Sequence, residues 1–147
     1  MHKYVLLLHV LSATVWTGGH LVLALAVLPR VLKERSTAEL LRFESAYEKI
    51  GMPALAIQVL TGLWLAYSLV PDFGSWFVAD NAVSQLILLK LILLLLTVLV
   101  AVDARLRIIP RLSADSLPAM ARRIGAVTLL SVLFVVVGVS FRTGPLL

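Results

Sequence analysis

Four long apolar stretches alternate with three polar connections along the chain. The first, residues 4–29, contains no Asp, Glu, Lys or Arg. About 20 apolar residues at about 1.5 Å rise cross the hydrocarbon of a bilayer. The pattern therefore predicts membrane-spanning helices over residues 3–30, 50–70, 82–106 and 118–141. Ahead of the second span, Leu40, Leu41, Phe43 and Tyr47 form an apolar side, and Arg42, Glu44, Glu48 and Lys49 a polar one. Ser36-Thr37-Ala38-Glu39 has the spacing of a capping box, so a short amphipathic helix is expected over residues 37–49. That piece either lies on the membrane surface or extends the base of helix 2. Pro71-Asp72-Phe73-Gly74 breaks the pattern, and Trp76 and Phe77 anchor an interfacial loop. Pro110 ends the third stretch, while Asp115, Ser116 and Pro118 signal the start of the fourth.

Composition narrows the class. Of 147 residues, 61% are hydrophobic and 14% charged, too apolar for a soluble domain. The expectation is all-α: one integral membrane domain folded as a four-helix bundle. Cysteine is absent, which removes disulfides, thiolate metal sites and cysteine nucleophiles. The N-terminal run is longer than a signal-peptide core and lacks an A-x-A end, so it is read as a helix of the mature protein. The formal charge of +5 reads as topology-setting loop charge, not as a nucleic-acid surface. Arg30, Lys33, Arg35, Arg42 and Lys49 flank the first connection, and Arg105, Arg107, Arg111, Arg122 and Arg123 the third. The middle one has Asp72 and Asp80 and no basic residue. Basic loops stay in the cytoplasm, so both termini lie outside, in the periplasm if this is a bacterial inner membrane.

Candidate chemistry centres on helix 1. His9 and His20 are eleven residues apart, about three turns, so they share a face roughly 16 Å apart along the axis. Ser12, Ala13 and Trp16 lie on the same stripe. Imidazole is a common ligand for iron, copper and zinc. Two rings at that separation cannot hold one ion, so they serve two levels or only one serves. A histidine in a membrane helix can also do no more than bond a neighbouring helix. Gly18 and Gly19 cost helix propensity and call for close approach of another helix or a flat ligand. Lys90 sits inside the Leu-rich third span, where it either snorkels to the interface or pairs with an acidic group. Depth along the helices places His9, Trp64 and Lys90 in one layer. Only three methionines are present, so a methionine-rich copper relay is weak on residues alone. Glu44, Glu48 and Asp103 read as ion-pair partners of Arg and Lys. No nucleophile–base pair, phosphate loop or zinc-hydrolase pattern occurs.

His9, Trp16 and Gly18-Gly19 form an H-x6-W-x-G-G pattern that resembles the first helix of copper resistance protein D (CopD)-like membrane proteins. Thr61-Gly62-Leu63 and Leu88-Leu89-Lys90-Leu91 are similar to that family's T-G-L and L-L-K-L segments. This resemblance implies a copper-related role. The HemJ-type protoporphyrinogen oxidases, four-helical and b-haem binding, are similar at His9, Leu28-Pro29-Arg30, Gly62-Leu63-Trp64 and Lys90. Here the distance from Trp16 to Pro29 is longer, and His20 has no counterpart. The expectation is a CopD-like inner-membrane protein binding b-type haem or copper, for electron transfer or metal handling. In it His9 and His20 are ligands, Trp16, Gly19 and Trp64 shape the slot, and Lys90 neutralises an acidic group. The alternatives are a HemJ-like oxidase with Lys90 as catalytic residue and a porphyrin substrate, and a cofactor-free accessory bundle. A redox partner and a homo-oligomer remain open.

Overall fold

The computed structural model describes residues 2–144 of the chain. Four helices long and apolar enough to cross a membrane account for nearly all of it: α1 (His2–Glu34), α2 (Thr37–Leu69), α3 (Ala82–Arg111) and α4 (Ala114–Thr143). Among the described residues there is no strand. The fold is the all-α, four-span bundle that the hydropathy pattern predicts.

The first and third connections are two residues each. Arg35 ends α1 in the left-handed conformation, φ 53°, and the Ser36 amide returns to the Val31 carbonyl at 3.1 Å. Ser36 then caps α2, its hydroxyl accepting from the Glu39 amide at 3.2 Å. The amphipathic segment is not a separate helix: Thr37–Leu69 runs unbroken through Pro53. Of the two placements open for residues 37–49, the extended base of helix 2 is the one observed. The middle connection holds a 3-10 turn, Phe73–Phe77. Its Trp76 is buried and donates from Nε1 to the Val70 carbonyl at 2.8 Å, while Phe77 stays exposed. Asn81 caps α3 by accepting from the Ser84 amide.

The two ends of the bundle are built differently. We call the end with both chain termini the terminal end and the other the basic-loop end. At the basic-loop end Leu23, Val27, Val31, Leu40, Ile108 and Leu117 are buried in one apolar cluster. Two wide π turns, Leu23–Val27 in α1 and Ala104–Ile108 in α3, feed that cluster. A ring of ion pairs surrounds it. Arg30 pairs with Glu39, Arg105 with Glu44 and Glu48, Arg123 with Asp103, and Arg35 with Asp115. These link α1 to α2, α2 to α3, α3 to α4, and the first connection to the start of α4.

Elsewhere the buried polar residues are small. Ser12, Thr97, Thr128, Ser131 and Ser140 lie buried, each with its hydroxyl donating to a carbonyl three or four residues back. Lipid tails are as apolar as leucine, so helix association in a bilayer relies on close packing of such small residues. Their local bonds make them chiefly spacers, and the Thr128 hydroxyl also reaches the His20 carbonyl of α1 at 3.3 Å. Large apolar residues face outward all along the spans, among them Leu25, Leu60, Leu95 and Leu129. Such a belt suits acyl chains.

Candidate functional site

His9 and His20 of α1 both face α2, but they meet different partners. At the terminal end, His9 Nδ1 lies 2.9 Å from Thr61 Oγ1. The Thr61 hydroxyl donates its own hydrogen to the Ile57 carbonyl at 2.6 Å. With its hydrogen given to Ile57 it accepts from the ring, an arrangement in which His9 carries its proton on Nδ1 and keeps the lone pair on Nε2. Gly62 makes the approach possible: a Cβ there would come within 3.1 Å of His9 Cε1. The Thr-Gly pair thus has a division of labour, with Thr61 fixing the tautomer and Gly62 clearing space for the ring.

Three turns away, His20 Nδ1 lies 2.8 Å from the Trp16 carbonyl, an acceptor, which again leaves Nε2 unprotonated. Tyr47 donates to the same carbonyl at 2.8 Å, and its oxygen stands 3.4 Å from His20 Nδ1. Trp16 is buried, and its ring centre is 4.5 Å from that of His20. The Tyr47 ring meets His20 edge-on at 5.4 Å. Gly19 exists for this ring, because a Cβ at Gly19 would collide with it. Gly51 on α2 abuts the other edge of Tyr47. Of the glycine pair, Gly19 fulfils the expected close approach; Gly18 has open space where a side chain would be.

Lys90 of α3 comes within electrostatic range of the His9 ring. Its Nζ would lie 3.4 Å from a Cβ at Gly138, and it stands 5.7 Å from the Phe141 ring centre. Among the described residues no ion pair involves Lys90. The Gln58 carbonyl of α2 is also beside His9, and the Gln58 side-chain oxygen is buried without a protein partner. Trp64 turns away from this group. It is 40% exposed, its ring centre 5.9 Å from that of His2. The structure so brings together His9 and Lys90, and separately Trp16, Gly19 and His20, and leaves Trp64 on the rim.

Among the described residues no three His, Cys, Asp or Glu side chains come together to hold a metal ion. Each level offers one imidazole with a free Nε2. That donor set does not make a complete structural copper or zinc centre. It does fit a single axial ligand or a transient one.

A family model for copper resistance protein D matches residues 41–141. The chain belongs to the copper resistance protein D family. That is a family of integral membrane proteins, in keeping with the four apolar helices. No curated protein and no solved structure matches the chain. The CopD match includes Thr61, Gly62 and Lys90 but begins after α1. The family places this protein in copper resistance; roles for His9, Trp16 and His20 rest on their geometry alone. Two contributors, Thr61 and Tyr47, are absent from the candidates read from sequence. Thr61 had a signal in the T-G-L segment, and Tyr47 had one in the glycine pair that needed a flat neighbour.

Proposed function

We propose that this CopD-family protein handles copper inside the membrane, with His9 Nε2 as the ligand at the terminal end and His20 Nε2 as a second, separate one. The observation that supports this is the Thr61–His9 bond, which takes up Nδ1 and leaves Nε2 as the nitrogen available to a ligand. Sparse ligation suits a cargo ion, because a site must bind strongly enough to load and weakly enough to release. Lys90 adds to this lability, since an ammonium in Coulomb range opposes a bare cation. By the distribution of basic residues, the terminal end faces the periplasm and the copper enters from there.

The same lysine favours a second reading. A b-type haem takes one axial histidine and carries acidic propionates, one of which Lys90 would neutralise. When bound, such a group would supply one-electron chemistry. His9 would be its axial ligand, and electron transfer to a redox partner its use.

The test is the absorption spectrum and metal content of the detergent-purified protein, with His9→Ala and His20→Ala alongside. Copper without a Soret band, lost in His9→Ala, supports copper handling. A Soret band lost in His9→Ala supports haem. Porphyrinogen oxidation that falls in Lys90→Ala would move the protein to the HemJ-like enzyme reading. Protein free of metal and pigment after copper loading would sink all three and leave an accessory bundle.

A further inference from the structure

Between α3 and α4, at the basic-loop end, lies an open groove of about 390 Å³ lined by Leu99, Val100, Asp103, Arg122, Arg123 and Ala126. Its volume is in the range of small-molecule sites, about 300–1,000 Å³. The lining is sorted by depth. Leu99 and Val100 precede Asp103 by one turn, and Ala126 follows Arg123 by one turn on the antiparallel helix. The apolar wall therefore faces the middle of the bilayer and the charged rim its edge. Residues 91–102 of α3 and 124–141 of α4 carry no charge. Asp103, Arg122 and Arg123 are then the first charges met on leaving the hydrocarbon, at headgroup level.

The rim is unbalanced. Arg123 Nε donates to Asp103 Oδ2 at 2.8 Å, and Arg107 reaches the other oxygen at 3.4 Å. Arg122 is exposed, and among the described residues no carboxylate pairs with it. Within the lining, Asp103 balances Arg123, and the Arg122 guanidinium is left in excess. Every other element of the ring of ion pairs at this end is used to join helices.

We propose that this groove binds an anionic glycerophospholipid, its phosphate against Arg122 and Arg123 and the first methylenes of one chain on Leu99, Val100 and Ala126. Guanidinium is suited to phosphate because its planar fork donates two parallel N–H bonds. Basic pockets between spans on the side of the basic loops take lipid headgroups in this way. A free phosphate would use the rim and leave the apolar wall bare. A zwitterionic headgroup would bring its own cation to a rim already in positive excess. The site is independent of the metal reading, and its failure would leave that reading untouched.

The test is native mass spectrometry of the full chain in detergent, supplied with equal phosphatidylglycerol and phosphatidylcholine. The wild type should retain phosphatidylglycerol over phosphatidylcholine by about fivefold, the effect of one interfacial basic residue. Arg122→Gln should abolish that preference. Ala126→Phe, which fills the apolar wall and keeps the guanidinium, should reduce adducts of both lipids. Arg142→Gln, at the terminal end, should change nothing. Equal retention of the two lipids, or a preference that survives Arg122→Gln, overturns the proposal. Displacement of phosphatidylglycerol by excess inorganic phosphate also overturns it, and reassigns the groove to a soluble anion.

Discussion

The two ends of this bundle solve the same problem by opposite means. At the basic-loop end, apolar side chains from α1, α2, α3 and α4 interdigitate, and ion pairs join the helices around them. At the terminal end, His9, Thr61, Gln58 and Lys90 are half-buried between helices, with Gly62 beside His9 and Gly138 beside Lys90. Polar side chains in a bilayer interior are costly unless they find partners. Trp76, Ile87 and Val137 are buried at the terminal end too, so the contrast is one of polarity and not of density. The lesson is that stability and chemistry are separable along the membrane normal, so substitutions should sort by depth.

Leu40→Ala gives the largest expected effect. Leu40 is 1% exposed in the centre of the packed cluster. A cavity there costs about 2–5 kcal/mol, read as a fall in thermal unfolding temperature in detergent. Metal or pigment content per folded molecule should stay unchanged; a parallel loss would merge the two ends into one unit. Thr61→Ala is the mirror experiment. It frees the His9 ring without opening a large cavity, and loss of such an orienting partner weakens metal binding by about 10–100-fold. Titration with copper or haem measures it, and a variant that unfolds instead would break the separation.

Gly19→Ala sharpens the boundary between the ends. The added methyl meets the Tyr47 ring, and overpacking of this kind costs about 1–3 kcal/mol. Tyr47→Ala in the same chain should recover part of that loss, whereas Tyr47→Phe should recover none, because the ring and not the hydroxyl is in the way. The smallest effect is expected from Arg105→Ala. Its contacts to Glu44 and Glu48, 2.9 and 2.7 Å, are partly exposed, and such pairs contribute about 0.2–1 kcal/mol each. High salt should shrink even that difference.

The fold was legible because hydrocarbon allows so few solutions. Runs of residues such as 91–102 and 124–141, free of charge, have to be helical. The connections were legible for the same reason, through Pro71, Pro110, Pro118 and the capping serine Ser36. Whether residues 37–49 lie apart or continue helix 2 was not, because an amphipathic pattern reads alike whether it floats on a surface or extends a span. In the site, the shared face of His9 and His20 followed from helical spacing. Their partners did not follow, because Thr61 and Tyr47 come from another helix, and which rung of α2 meets which rung of α1 is set by packing. Trp64 illustrates the limit: residue count assigned it to the layer of His9, whereas its ring lies beside His2, about two turns nearer the start of α1.

The wide turns in α1 and α3 have a consequence for this division. A π turn holds one residue more than an α turn of the same rise, which rotates everything beyond it by about 100° about the axis. The two helices that have one are those carrying His9 and His20, and Lys90. In α1 the angular phase of residues 2–22 is uncoupled from that of residues 28–34, whereas in α3 the wide turn re-aims only the last residues, 109–111. The first helix can thus aim its ring nitrogens at α2 at one depth while presenting leucine and valine to the centre at another, with no compromise forced by helical periodicity.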